Sequence, residues 1–88
     1  MHIEVTSNFN KDISKLRDKK LILAVKAALQ ELEHANNLTE VANVKKLQGK
    51  PNYFRLRIND YRLGIFVENN KVTIARFLHR KEIYRYFP

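Results

Sequence analysis

The hydrophobic pattern of this 88-residue chain changes its period at Tyr53, and this change constrains the fold more than any other feature. Over most of the preceding residues, apolar side chains recur every three or four positions, which is the spacing of one face of a helix. From Tyr53 they alternate with polar side chains, which is the period of a half-buried strand. We therefore expect an α+β fold with helices in the first half and an antiparallel sheet in the second.

The first half is expected to contain one strand and a helical hairpin. Positions 2–5 alternate between polar and apolar residues, which predicts a short strand. A hydroxyl at position 6 or 7 can cap a first helix that runs to about Arg17. Asp18 can cap a second helix, which the polar segment 36–39 ends. Two helices with a short joint form a helical hairpin.

A three-stranded antiparallel meander is expected after Tyr53. Asn59-Asp60 and Asn69-Asn70 are turn signals that separate the strands, the last of which spans about 72–78. A two-residue turn at Asn59-Asp60 places Arg57 directly opposite Arg62.

Two further expectations concern the sheet as a whole. Arg76 falls in phase with the apolar Val72 and Ile74, which predicts a bulge or a sheet edge near it. Residues 40–52 look irregular apart from a short segment around 44–47. The helices should therefore cover one face of a roughly four-stranded sheet, whose opposite face is a basic groove.

Charge is distributed unevenly along the chain, which has a formal net charge of +8. Residues 1–44 contain six basic and six acidic residues, whereas residues 45–88 contain eleven basic and three acidic ones. Such an asymmetry favours a polyanionic partner, most commonly a nucleic acid, although a merely solubilising surface gives the same count.

Basic residues are concentrated on one expected sheet face and in the C-terminal tail. Arg57 and Arg62 oppose each other at a cost to stability, which is tolerated most easily if a polyanion binds between them. The alternative is a solvated face whose arginines lie on Tyr53 and Phe66. The tail from His79 to Phe87 adds an imidazole, three cations and two phenols, which are the groups needed to cleave RNA without a metal ion. A lone His79 is more commonly an ordinary surface residue.

Several classes of protein are disfavoured. The chain has no cysteine, and it has no metal-ligand spacing and no phosphate-binding glycine loop, so we expect neither a metal site nor a small-molecule cofactor. Its longest apolar run, Leu21 to Val25, is far shorter than a membrane span. We expect a single domain over residues 1–88, located in the cytoplasm, with no membrane partner.

Four segments together resemble the RelE/ParE superfamily of bacterial and archaeal toxins. They are Lys45-Lys46-Leu47-Gln48-Gly49, Tyr53-Phe54-Arg55-Leu56-Arg57, Asp60-Tyr61-Arg62-Leu63 and His79-Arg80-Lys81-Glu82-Ile83-Tyr84. The order of strand, helical hairpin and meander is also similar, and the last segment resembles the RelE branch. This resemblance implies the toxin of a type II toxin–antitoxin system. Such a toxin is a ribosome-dependent endonuclease that cleaves mRNA in the A site of the small subunit and is neutralised by a cognate antitoxin.

The resemblance covers Arg55, Arg57, Arg62, Arg80 and Tyr84, and together with the charge and chemistry of the other residues it suggests individual roles. Three arginines would hold the scissile phosphate, and Tyr84 or His79 would carry the proton. The residues expected to bind or position RNA by charge are Lys45, Lys46, Arg55, Lys81 and Arg85. The three phosphate-binding residues are Arg57, Arg62 and Arg80.

One departure from the family bears on proton transfer. Some members carry Lys or Glu where this chain has Arg55 and Arg57, and an arginine cannot shuttle a proton because its guanidinium stays protonated. The base would then be Tyr84, His79 or Lys81, or would come from the ribosome.

Two other functions are compatible with the same residues. The first is a ParE-like inhibitor of DNA gyrase, which catalyses nothing. The second is a non-catalytic basic module that helps an antitoxin to hold DNA.

Overall fold

A computed structural model describes residues 1–88 as a five-stranded sheet with helices on both faces. The elements, in chain order, are β1 (His2–Val5), α1 (Ser7–Ser14), α2 (Lys19–His34), a 3₁₀ turn (Leu38–Glu40), β2 (Val44–Lys46), β3 (Tyr53–Ile58), β4 (Tyr61–Glu68), β5 (Lys71–His79) and α3 (Arg80–Tyr86). None of the helices has the length and apolar character needed to cross a membrane.

The sheet has the order β1-β5-β4-β3-β2, with β1 parallel to β5 and the other neighbours antiparallel. The expected count of about four strands is one too low. The short segment that the sequence indicated around 44–47 pairs with β3 and forms the fifth strand, at the sheet edge.

The helical hairpin forms as expected, with a shorter first helix. The Thr6 hydroxyl accepts a hydrogen bond from the backbone N–H of Phe9, and the Asp18 carboxylate caps α2 by accepting from two backbone N–H groups. Helix α1 ends at Ser14 rather than near Arg17. The backbone N–H of Lys15 donates to the Asp12 carbonyl only three residues back, which tightens and ends the last turn.

The core lies between this hairpin and one face of the sheet. Its fully buried side chains come from α2, β4 and β5, and include Leu32, Leu63, Ile65, Ile74 and Phe77. The expected bulge is present: Gly64 pairs with Arg76 and Ile65 pairs with Ile74, so Ala75 has no partner in β4.

The opposite face, where the sequence predicted a basic groove, is partly covered by α3. Ile83 and Phe87 are buried outside the main core and anchor the tail on this face. A Cβ atom on Gly64 would lie 2.7 Å from the Phe87 ring, so the glycine makes room for that side chain. Helix α3 therefore lies over the same face as the basic residues of β3.

Candidate active site

Two pairs of like-charged residues lie opposite each other in the sheet, one between β3 and β4 and one between β2 and β3. Arg57 lies opposite Arg62, as the two-residue turn predicted. Lys45 lies opposite Arg55, a pair that the sequence did not indicate because β2 was not recognised as a strand of the sheet. Each such pair costs about 0.2 to 1 kcal/mol relative to uncharged residues.

These residues line one cleft of about 550 Å³ beside α3. Four of the lining side chains are cationic, and no carboxylate is among them. The complete lining is Asn43, Val44, Lys45, Arg55, Arg57, Arg62 and Tyr84.

None of the cleft cations has an acidic partner within 4 Å. The three ion pairs of the molecule lie elsewhere, and they are His2–Glu4, Lys71–Glu4 and Arg76–Asp12. The positive charge of the cleft is therefore uncompensated by protein groups. Guanidinium groups in this state bind phosphate oxygens in pairs.

The two opposed arginines are held by nearby backbone and amide oxygens. Arg62 Nη1 donates to the carbonyl oxygens of Asn59 at 3.1 Å and Tyr61 at 2.9 Å. Arg57 Nη2 lies 3.5 Å from Asn43 Oδ1, and the backbone N–H of Arg57 donates to the Asn43 carbonyl. The remaining guanidinium donors are free for an anion.

Asn43 was missed by the sequence analysis. It has a φ of 66°, a left-handed conformation that asparagine adopts more readily than most residues. In this conformation Asn43 lines one end of the cleft, and its side-chain oxygen accepts from the Arg57 guanidinium and so orients it. An asparagine just before a short strand was the only signal in the sequence.

Arg55 and Tyr84 form the wall of the cleft next to α3. The Arg55 guanidinium carbon lies 4.3 Å from the centre of the Tyr84 ring, a cation–π contact. Arg55 Nε is buried and has no hydrogen-bond partner. The Tyr84 side chain stays exposed, so its hydroxyl is accessible to a molecule bound in the cleft.

His79 lies away from this cleft. It pairs with Tyr61, whose neighbours along β4 at alternate positions belong to the core face, whereas Arg62 belongs to the opposite face. Its Nδ1 accepts from the backbone N–H of Lys81 at 3.1 Å and so caps α3. The structure does not bring His79 together with Arg57, Arg62 and Tyr84.

The remaining basic candidates are peripheral. Arg80, Lys81 and Arg85 are exposed on α3 and are not among the residues lining the cleft, so the expected grouping of Arg80 with Arg57 and Arg62 is not seen. The backbone N–H of Arg80 instead ties α3 to Asp60 at 2.8 Å.

Lys46 is offset from the cleft by the alternation of side chains along β2. It pairs with Phe54, which packs against the core, so Lys46 lies on the face of the sheet that the helical hairpin covers. It also borders an adjoining depression of about 320 Å³, shared with Lys45 and Arg55.

A separate ion pair joins α1 to β5. The Asp12 carboxylate accepts from Arg76 Nε at 2.9 Å, from Arg76 Nη2 at 3.0 Å and from the backbone N–H of Phe77 at 2.9 Å. The hydrogen bond that Arg76 donates to Asp12, assisted by the charge of the carboxylate, raises the pKa of Arg76. Both partners are engaged, so this pair is structural.

Known proteins match both the sequence and the fold. The family model described as the ParE toxin of the type II toxin-antitoxin system parDE matches residues 3–84. Toxin RelE3 of Methanocaldococcus jannaschii is 40% identical over 65 residues, which cover 73% of this chain and 74% of that protein. The chain belongs to the RelE/ParE superfamily of toxins.

Solved structures extend the likeness of this RelE/ParE toxin to the whole fold. The toxin in the RelB-RelE antitoxin-toxin complex from Methanococcus jannaschii is 33% identical, with a TM-score of 0.81 over 96% of this chain and 98% of that one. The archaeal RelE-RelB complex from Pyrococcus horikoshii matches in fold, with 22% identity and a TM-score of 0.74 over 90% and 93% of the two chains.

The superfamily defines the class of this protein. It is a toxin of the type II toxin–antitoxin class. Ribosome-dependent cleavage of mRNA is the activity characteristic of the RelE branch.

Proposed function

We propose that this toxin is a ribosome-dependent mRNA endonuclease whose active site is the cleft between β2, β3 and α3. The observation that carries the proposal is the uncompensated charge of Arg57 and Arg62, opposed across the hairpin beside the exposed phenol of Tyr84. A scissile phosphate between the two arginines would turn a destabilising repulsion into charge-assisted hydrogen bonds.

The proposed reaction is attack by the ribose 2′-hydroxyl on the adjacent phosphorus. The 2′-oxygen passes its proton by way of the Tyr84 hydroxyl to water and bonds to phosphorus, the bond to the 5′-oxygen breaks, and that oxygen takes a proton from water. Arg57 and Arg62 would stabilise the added negative charge of the transition state. The products are a 2′,3′-cyclic phosphate and a 5′-hydroxyl.

Tyr84 is the proposed proton carrier at the 2′-oxygen. Its ring rests on Arg55 and its hydroxyl faces solvent at the cleft, whereas His79 caps α3 on another side of the sheet. In this scheme Arg55 holds the tyrosine in place, and Lys45 contacts a neighbouring phosphate.

We further propose that the chemical step needs no metal ion. The cleft offers guanidinium, ammonium, amide and phenol groups, whereas Mg²⁺ is held mainly by carboxylates and phosphates. Because ribosomes themselves need magnesium, the chemistry of the product ends is the decisive readout.

The proposed partners are mRNA in the A site of the small ribosomal subunit and a cognate antitoxin. The similar archaeal toxins were solved as complexes with their RelB antitoxins, which supports an antitoxin for this chain too. A ribosomal target places the proposed site of action in the cytoplasm.

The experiment that tests the activity is cleavage of mRNA on programmed ribosomes by the purified toxin. We expect cleavage within the reading frame, with 2′,3′-cyclic or 3′-phosphate ends. A 3′-hydroxyl end would contradict the mechanism, and intact mRNA would contradict the activity.

Single-turnover rates of two variants test the proton carrier. Tyr84→Phe keeps the ring on Arg55 and removes only the hydroxyl, so the rate should fall roughly 10²- to 10⁴-fold while ribosome binding persists. His79→Gln is the matched comparison and should retain most of the rate. A loss confined to His79→Gln would overturn the assignment.

One observation favours a second function. The family model that matches residues 3–84 carries the ParE name, and the ParE branch inhibits DNA gyrase. Inhibition of supercoiling by the purified protein, with translation unaffected, would support that function over mRNA cleavage.

A further inference from the structure

A second cavity, of about 740 Å³, adjoins the cleft at the C-terminal end of β3, next to the start of β2. The two cavities share Asn43 and Arg57. On its other side the cleft shares Lys45 and Arg55 with the depression of about 320 Å³. The three therefore form one continuous track around the edge of the sheet.

The chemistry of the track changes at Arg57. The cleft and the smaller depression carry cations and no carboxylate. The second cavity has one cation, Arg57, two asparagines, five apolar residues and two carboxylates, Glu31 and Asp60. Neither carboxylate lies within 4 Å of a cationic group. The complete lining is Ala27, Ala28, Glu31, Ala42, Asn43, Leu56, Arg57, Ile58, Asn59 and Asp60.

This composition suits a nucleobase better than a phosphate. The carboxylates repel a phosphate but accept hydrogen bonds from the N–H groups of a base. The small alanines of α2 leave room for a flat ring on the apolar side of the cavity, where Leu56 and Ile58 are largely buried. Unstacked bases in single-stranded RNA are commonly read in this way, through apolar contact and hydrogen bonds to their edges.

Resting on the function proposed above, we propose that this cavity binds the base of a nucleotide flanking the scissile phosphate. It would select bases that carry an exocyclic amine, which are adenine, cytosine and guanine, over uracil. Uracil offers the carboxylates only its ring N3–H, and the two carbonyl oxygens that flank this donor are repelled by Glu31 and Asp60. Arg57 would then stand at the junction between the bound phosphate and the bound base.

The first test is base discrimination on programmed ribosomes. Messages are compared that carry each of the four bases at the two positions flanking the cleavage site. At one of these positions the wild-type toxin should cleave amine-bearing bases roughly 5- to 100-fold faster than uracil. Glu31→Gln and Asp60→Asn should each reduce this ratio, whereas Glu33→Gln, on the exposed part of the same helix, should leave it unchanged.

The second test fills the cavity. Ala27 is exposed on α2, so Ala27→Leu should block the cavity without disturbing the core or the helix. We expect slower cleavage of the amine-bearing messages and an unchanged thermal melt. Gln30→Leu is the matched control, because it adds a similar side chain to α2 outside the cavity.

The outcomes separate this inference from the proposed function. If the wild-type toxin cleaves every message equally well, or if both carboxylate variants keep the wild-type ratio, the base site is wrong and the endonuclease stands. If no message is cleaved, the endonuclease fails and the base site fails with it. If Ala27→Leu weakens binding of the antitoxin but leaves base discrimination intact, the cavity is a protein contact and the inference is overturned.

Discussion

At the scale of single residues, the opposed pair Arg57 and Arg62 is the clearest link between sequence and proposed function. Its register follows from a two-residue turn at Asn59-Asp60, and Asn59 supplies the positive φ of 54° that such a turn requires. The two arginines are not equivalent, however. Arg62 also donates to the carbonyl oxygens of the turn, and Arg57 does not.

This difference predicts unequal effects on stability from two similar substitutions. Arg57→Ala removes the repulsion and should raise the free energy of unfolding by about 0.2 to 1 kcal/mol. Arg62→Ala also loses two hydrogen bonds to the turn, so its gain should be offset or reversed. Both variants should lose toxicity. Thermal melts together with growth assays measure this, with Lys26→Ala on the exposed side of α2 as the control. A toxic Arg57→Ala variant would contradict the proposed role.

The positions of Tyr84 and His79 could not be predicted from the tail sequence. Successive residues at the end of a strand point to opposite faces, so the placement of His79 depends on where β5 ends. Strand β5 continues through His79, which pairs with Tyr61, and α3 begins only at Arg80. Tyr84 then projects toward Arg55, while His79 remains on the other side.

At the scale of elements, long periodic segments were predicted well and short ones were not. The alternation in β3 and β4 and the stripe on α2 each include several apolar residues, so their assignment was secure. Strand β2 has three residues, too few to show a period, and its pairing depends on the neighbouring β3. The omission of β2 hid the Lys45–Arg55 pair, and with it half of the cationic cleft.

Helix α3 is attached through Gly64, and this attachment can be tested. A Cβ atom there would lie 2.7 to 2.9 Å from three atoms of the Phe87 ring, so Gly64→Ala must displace the tail. We expect a loss of about 1 to 3 kcal/mol in the free energy of unfolding. Cleavage should also slow, because Tyr84 lies on the displaced helix.

A second substitution separates the contact between position 64 and Phe87 from the other effects of Gly64→Ala. Phe87→Leu makes room for the added methyl group, so the double variant with Gly64→Ala should be less destabilised than the two single changes added together. Chemical denaturation of the four proteins measures this coupling. Additive losses would mean that the tail is held in another way.

Asp12 fixes helix α1 to β5 through its ion pair with Arg76. The Asp12 side chain is almost fully buried, and that of Arg76 is partly buried. Asp12→Ala would leave the Arg76 guanidinium and the Phe77 N–H without their acceptor, at a cost of about 2 to 4 kcal/mol. Lys11→Ala, at the exposed neighbouring position, should change stability little. Equal melting temperatures for the two variants would contradict a structural role for the pair.

The contribution of the Asp12–Arg76 pair to stability depends on pH through the protonation of Arg76. The pKa of Arg76 is raised by its hydrogen bond to Asp12. A base with a raised pKa in the folded state stabilises fully at pH values below its unfolded pKa, and that stabilisation is lost as the pH rises through the folded one. The contribution of Arg76 should therefore persist through the whole neutral range.

At the scale of the whole molecule, the charge asymmetry along the sequence becomes an asymmetry of the surface. The excess of basic over acidic residues lies in positions 45–88. These positions form β2 to β5 and α3, where the cleft lies. The sequence therefore indicated a polyanionic partner. Which of the basic residues line the cleft could be read only from the register of the sheet.

Salt dependence of RNA binding measures how many of these cations contact phosphates. Each contact to single-stranded nucleic acid adds about −0.7 to the slope of log affinity against log salt concentration. Four cleft cations, Lys45, Arg55, Arg57 and Arg62, predict a slope of about −3 for a short single-stranded RNA. Lys45→Gln should make this slope shallower by about 0.7, because it removes one contact and leaves the arginines in place. Lys71→Gln is the matched control, since Lys71 lies in β5 and pairs with Glu4 at 3.5 Å, away from the cleft. Equal slopes for the wild type and Lys45→Gln would show that Lys45 contacts no phosphate and that the track ends at Arg55.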